Sequence, residues 1–162
     1  MKEKTIAIFP GSFDPVTKGH ESIVLRALPM FDKIIVAIGE NTAKKSLFSI
    51  EQRKEWLRQT FEGIDKIEID SFDCLTVDYC KKVGAKYILR GVRNTMDYQY
   101  EKNIAQINNE LCSDIETVFL ITKPDEAAIS SSFVREILAF GGDIHKFVPS
   151  KIKITKNDLI NG

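Results

Sequence analysis

The sequence predicts an α/β protein: a doubly wound, five-stranded parallel sheet (Rossmann-like, order 3-2-1-4-5) with helices on both faces. Three observations lead there. Short apolar runs rich in β-branched residues recur at Thr5–Phe9, Lys33–Ile38, Lys66–Ile69, Lys86–Leu89 and Thr117–Ile121. Segments with helical periodicity lie between them, and strand–helix alternation is the mark of parallel βαβ units. The strand runs read as continuously apolar, as expected where helices cover both faces of a sheet.

Each helix has its own reason. From Glu21 to Met30, Ile23, Ala27, Met30 and Phe31 share a face with Val24 and Leu28. Ser49-Ile50-Glu51-Gln52 is a capping-box pattern that opens a helix running to about Phe61. The third helix, Leu75–Val83, stops at Gly84, a natural residue just past a helix end. The fourth runs from about Tyr98 to Leu111, and the fifth from about Ser131 to Phe140 before Gly141-Gly142. The polar tail, Lys151 to Gly162, reads equally as a terminal helix or a frayed end. No repeat, low-complexity segment or linker divides the chain, so residues 1–162 are expected to form a single domain.

Composition excludes several classes. Lysine plus arginine balances aspartate plus glutamate at 23 each, so no global field draws in nucleic acid or an anionic membrane. No apolar stretch approaches the ~20 residues of a membrane span. Met1-Lys2-Glu3-Lys4 leads straight into a strand-like run, unlike a signal peptide. Cys74, Cys80 and Cys112 are odd in number and lack C-x-x-C spacing, which suggests reduced thiols and a cytoplasmic protein. His20 and His145 are the only histidines, so no histidine-based metal site is expected. G-x-x-x-x-G-K-[ST] and G-x-G-x-x-G are both absent.

What remains is local anion chemistry at one sheet edge. Gly11-Ser12-Phe13-Asp14-Pro15, then Thr17-Lys18-Gly19-His20, joins the first strand to the first helix. Such a turn brings backbone N–H groups and a helix N-terminus toward an anion, and a histidine there can donate to a phosphate oxygen. Arg90-Gly91-Val92-Arg93 ends the fourth strand, where guanidinium groups can clamp phosphate. In a sheet of this order the loops after strands 1 and 4 face one crevice, where ligands bind. Ile129-Ser130-Ser131-Ser132 opens the last helix on the same edge and suits either capping or a phosphate. Lys44-Lys45, after strand 2, could reach an anion, although solvated loop lysines are common.

Together these segments resemble the bacterial phosphopantetheine adenylyltransferases, of the nucleotidyltransferase superfamily with a T/H-x-G-H motif. The resemblance runs to about Pro149. It also draws on Asp97-Tyr98-Gln99-Tyr100-Glu101, Asn108, Gly141-Gly142-Asp143 and Phe147-Val148-Pro149. It implies adenylyl transfer from ATP to 4′-phosphopantetheine with Mg²⁺, giving dephospho-coenzyme A and pyrophosphate, by a homohexamer. His20, as transition-state stabiliser, Lys44 and Arg90 would then be catalytic. Ser12, Phe13, His20, Gly91, Val92, Arg93, Glu101 and the stretch Glu126, Ala127, Ala128, Ile129, Ser130, Ser131, Ser132 would meet ATP. Ser12, Lys44, Thr76 and Arg90 would meet the acceptor. One position departs: the family often carries an aromatic residue where this chain has Glu126. Two other readings stay open on the residues alone. One is a sister enzyme acting on nicotinamide mononucleotide or glycerol phosphate; the other is a nucleotide-binding regulatory module without chemistry.

Overall fold

Five parallel strands, β1 (Ile6–Gly11), β2 (Lys33–Gly39), β3 (Ile67–Phe72), β4 (Tyr87–Val92) and β5 (Glu116–Ile121), form one sheet in the order β3-β2-β1-β4-β5. Helices α1 (Lys18–Ala27), α2 (Ile50–Thr60), α3 (Thr76–Val83), α4 (Thr95–Leu111) and α5 (Ser131–Ala139) fill the connections and the chain beyond β5. The computed structural model describes residues 3–41 and 43–160. Strand order and direction are those the sequence predicts.

Alternate residues of the central strands feed two cores, as a period of two requires. Ala7, Phe9, Ile34, Val36, Ile38 and Leu89 belong to one core, with residues of α1, α2 and α5. Ile8, Ile35, Ala37 and Ile88 belong to the other, with Val77, Tyr79 and Cys80 of α3. None of these ten strand residues is more than 4 % exposed. Burying each large aliphatic side chain contributes about 1.5–3 kcal/mol. The edge strand β3 departs from the expected continuous apolar run, because Glu68, Asp70 and Ser71 interrupt it. Asp70 accepts a hydrogen bond from the buried Tyr79 hydroxyl at 2.6 Å.

Caps explain where helix bounds differ from the sequence reading. Helix α1 begins at Lys18 rather than Glu21 because Thr17 caps it, accepting the His20 N–H. Helix α4 begins at Thr95 rather than Tyr98 because Asn94 accepts the Asp97 N–H at 2.9 Å. The box expected at Ser49 is half formed. Ser49 accepts the Gln52 N–H at 3.2 Å, but the Gln52 amide donates to Asp158 of the tail at 2.8 Å. As far as Ile160, the tail is neither an α-helix nor frayed. Ile152 is buried, one 3₁₀ turn spans Lys156–Asp158, and the Ile160 N–H donates to the Leu47 carbonyl at 2.8 Å. Residues 161 and 162 lie outside the described residues.

Sheet register places the crevice. Pairing of β1 with β2 runs from Ile6↔Lys33 to Gly11↔Ile38, whereas β1 pairs with β4 only at Ala7↔Tyr87 and Ile8↔Ile88. Beyond Ile8 the two strands separate. A carbonyl leaving a ladder needs another donor, and Arg90 Nη1 donates to the Pro10 carbonyl across the gap.

Candidate active site

The loop from Gly11 to His20 forms one wall of this gap. Phe13 is buried and left-handed (φ 46°), a conformation that costs roughly 1–2 kcal/mol for a non-glycine residue. Its ring lies so close beneath the loop that a Cβ on Gly11 would meet it at 3.1 Å. The Phe13 and His20 rings meet edge to face at 5.0 Å, and Phe9 stands 6.3 Å from His20. Phe13 thus supports His20 from beneath and also lines the cleft where the resemblance expects a nucleotide.

His20 is held in one protonation state. Its Nδ1 accepts the Thr17 N–H at 3.0 Å, completing a capping box with histidine at its third position. Nδ1 is thus the acceptor, and Nε2 carries the proton of the neutral ring. Burial, then the charges of Arg90 and Arg93, pushes the imidazole pKa down to about 4, so the ring is neutral at pH 7. The folded chain binds this proton more weakly than the unfolded one, so this contribution to stability is present above about 6.5 and is lost as pH falls toward about 4. Against a His20→Asn variant, the wild type should lose on the order of 3 kcal/mol more between pH 7 and pH 4. Urea unfolding at both pH values measures it, and parallel pH profiles for the two proteins would contradict it.

Opposite stands the end of β4. Arg90 Nε and Nη2 donate to the two carboxylate oxygens of the buried Glu101, at 2.8 and 2.6 Å. With the Pro10 bond, three of the five guanidinium N–H groups are engaged, leaving two for a ligand. Arg93 pairs with Asp97 at 2.9 Å. Gly91 lets α1 close on the strand, since a Cβ there would meet Ile23 at 3.1 Å. Carboxylates therefore pre-orient both arginines, a feature the tetrapeptide alone does not reveal.

The start of α5 supplies the third wall, and its hydroxyls already have partners. Ser130 accepts the Phe133 N–H at 3.2 Å, Ser131 donates to the Pro15 carbonyl at 2.8 Å, and Ser132 accepts from Arg135 at 3.2 Å. The capping bonds are thus present, and the Ser131–Pro15 bond ties this helix start to the loop. Glu126 lines the same cleft with a buried carboxylate oxygen, Oε2, that has no hydrogen-bond partner. Replacing Glu126 with Tyr removes that orphaned acceptor and adds stacking area, so the ATP that the resemblance implies should bind more tightly by about 1 kcal/mol with little change in kcat. Calorimetry decides it, and weaker ATP binding would mean that the carboxylate serves the nucleotide.

These walls enclose two connected compartments. The first, of about 310 Å³, is lined by Ser12, Phe13, His20, Lys44, Gly91, Arg93, Glu126, Ile129 and Ser130 to Ser132. The second, of about 530 Å³, runs along Phe72, Leu75, Thr76, Ile104 and Asn108. Pro10, Gly11, Ser12, Arg90 and Glu101 line both, so they form the junction. Lys44 reaches the first compartment from the exposed loop after β2. Thr76 lies in the second, apart from His20. Val92 is buried in the strand, and Ala127 and Ala128 sit on a turn closed by Ile129 N–H donating to Glu126 at 3.0 Å; none of the three is among the lining side chains. Thr17, Asp97 and Arg135 also line the first compartment, and the sequence reading did not assign them. The Thr17-x-x-His20 spacing was the available signal for the first.

A model of the cytidylyltransferase-like family matches residues 8–137. The phosphopantetheine adenylyltransferase of Cytophaga hutchinsonii is 50% identical over 147 residues, covering 91% of this chain and 98% of that one. That of Flavobacterium psychrophilum is 49% identical over 148 residues, covering 91% and 97%. Among solved structures, a bifunctional NMN adenylyltransferase/ADP ribose pyrophosphatase from Francisella tularensis superposes with a TM-score of 0.71 over 93% of this chain, at 20% identity. This chain spans 46% of that one, and the likeness is one of fold. Identity at this level over 91% of the chain, with a cytidylyltransferase-like family model over residues 8–137, means that the chain belongs to the phosphopantetheine adenylyltransferase family.

Proposed function

We propose that this protein transfers the adenylyl group of ATP to 4′-phosphopantetheine, forming dephospho-coenzyme A and releasing pyrophosphate. The observation that carries this reading is the pair of compartments meeting at Ser12 and Arg90. A group transfer needs two ligands whose reacting ends meet at one point. The first compartment has the helix starts and cations that a triphosphate requires. The second is an apolar trough with a few amide and hydroxyl groups, such as Asn41, Thr76 and Asn108, which suits a flexible arm bearing amides.

The chemistry asks little covalent work of the protein. A phosphate monoester has a second pKa of about 6, so at pH 7 it attacks without a general base. The difficulty is bringing it onto an α-phosphate and stabilising the charge that develops there. His20 Nε2–H donates to that charge as a neutral ring, Arg90 presents its two remaining N–H groups at the junction, and Lys44, which lines the first compartment, would neutralise the acceptor phosphate as it reaches the junction. Mg²⁺ would screen the triphosphate. Among the described residues no group of three His, Cys, Asp or Glu could hold a metal ion, and Glu101 and Asp97 are committed to arginines. The donor set fits a cation carried on the nucleotide's own oxygens.

The homohexamer that the resemblance implies is supported by α4, which exposes Met96, Tyr100, Ile107 and Leu111. Light scattering from the purified protein should read six chains, and a monomer would sink this assembly. A cytoplasmic setting is supported by three unbridged cysteines, and no helix of the described residues is long and apolar enough to cross a membrane. The activity is tested by pyrophosphate release from ATP with a panel of phosphorylated acceptors. Turnover should require phosphopantetheine, and equal turnover with nicotinamide mononucleotide would move the protein to the sister activity.

A further inference from the structure

Lys44 stands on an exposed loop, yet the chemistry above needs it at a fixed distance from the junction. The loop that carries it is tied down a few residues further on, at Leu47 and Phe48. Asp14, only 5 % exposed, lines neither compartment. Its Oδ2 and Oδ1 accept the N–H groups of Leu47 and Phe48, at 2.9 and 3.0 Å. Arg53 of α2 is also buried, and it donates through Nε to the Phe48 carbonyl at 3.1 Å and through Nη1 to the Ser12 carbonyl at 2.8 Å. Arg135 of α5 donates to the Asp14 carbonyl at 2.8 Å. Residues more than thirty positions apart in sequence are thereby pinned to each other.

A carboxylate taken out of water is expensive unless its oxygens are satisfied, and here backbone N–H groups from another segment satisfy them. We propose that Asp14 is a positioning residue that, with Arg53, docks the Lys44 loop onto the phosphate loop and so sets the reach of Lys44 toward the acceptor phosphate. The proposal rests on the adenylyl-transfer reading for the role of Lys44, while the docking itself does not. Lysine is a flexible point charge, so its effective position depends on where its loop is tied.

Asp14→Asn keeps the shape but turns an NH₂ toward one of the two backbone N–H groups, which loosens the tie. A misplacement of about 1 Å can lower turnover by about a hundredfold. In Asp14→Asn, kcat/KM for phosphopantetheine should fall by about ten- to a hundredfold, with ATP affinity unchanged by calorimetry. In a Lys44→Ala background the same change should have no further effect. Amide hydrogen exchange at Leu47 and Phe48 should quicken in Asp14→Asn. Independent, multiplicative losses from the two substitutions, or a matching loss of ATP affinity, would overturn the positioning role. Should Asp14→Asn not fold, Arg53→Lys, whose single nitrogen cannot occupy both the Nε and the Nη1 positions, carries the same cycle. An inactive wild type would count against the activity alone, and unchanged exchange at Leu47 and Phe48 would overturn the docking whatever the activity.

Discussion

Replacing His20 with alanine should lower kcat by about a hundred- to a thousandfold, or about 3–4 kcal/mol, while ATP affinity stays near the wild-type value. The expectation follows from the state of the ring. Nδ1 is occupied by the Thr17 N–H, and burial with two nearby guanidinium groups keeps the imidazole neutral. One N–H, on Nε2, is therefore available, and a neutral donor gains most where charge is developing rather than where it already stands. Phe13 and Thr17 hold the ring from two sides, so this donor needs no reorganisation during the reaction. His20 itself should add no inflection near 6.5 to the pH profile of kcat, because a ring with a pKa of about 4 does not titrate there, which leaves the second ionisation of the acceptor phosphate, at about 6, as the titration expected in that range. Steady-state kinetics with ATP titration reads both quantities. A loss confined to ATP affinity would make His20 a ground-state contact.

Replacing Arg90 with alanine should damage folding and acceptor use together. Glu101 would be left buried without the two bonds that now satisfy its oxygens. Breaking a buried pair from one side costs about 3–5 kcal/mol. Arg90 is 30% exposed, so solvent screening puts the expected loss at the low end, about 3 kcal/mol. The Pro10 carbonyl would also lose its donor at the point where β1 and β4 separate. The paired replacement Arg90→Leu with Glu101→Leu separates the two roles. Stability by urea unfolding should recover because no unpaired charge remains, whereas phosphopantetheine use should stay impaired. Recovery of turnover in the double variant would mean that Arg90 only satisfies Glu101.

The sheet was legible because its central strands are apolar on both faces and its helices carry clear periodicity. The crevice followed from strand order alone, since Ser12 just after β1, His20 in the first turn of α1 and Arg90 near the end of β4 lie at the same edge. Less legible were the partners of those side chains. A capping box with histidine in place of Glu or Gln does not advertise itself, so the fixed tautomer of His20 stayed hidden. Glu101 and Asp97 lie on a helix with a largely exposed surface, and only the fold brings them to Arg90 and Arg93. The tie from Asp14 to Leu47 and Phe48 crosses two elements and has no local spacing to betray it. Glu126 was visible as a departure from the family, but its unpartnered oxygen was not.

The central claim is direct attack of the acceptor phosphate on the α-phosphate of ATP, without a covalent enzyme intermediate. Following ATP labelled at the α- or the γ-phosphate, with phosphopantetheine and Mg²⁺ present, tests it most directly. The α label should appear in dephospho-coenzyme A, the γ label in pyrophosphate, and neither on the denatured protein. Transfer of the γ label to the acceptor, or retention of the α label on the protein, would contradict the account.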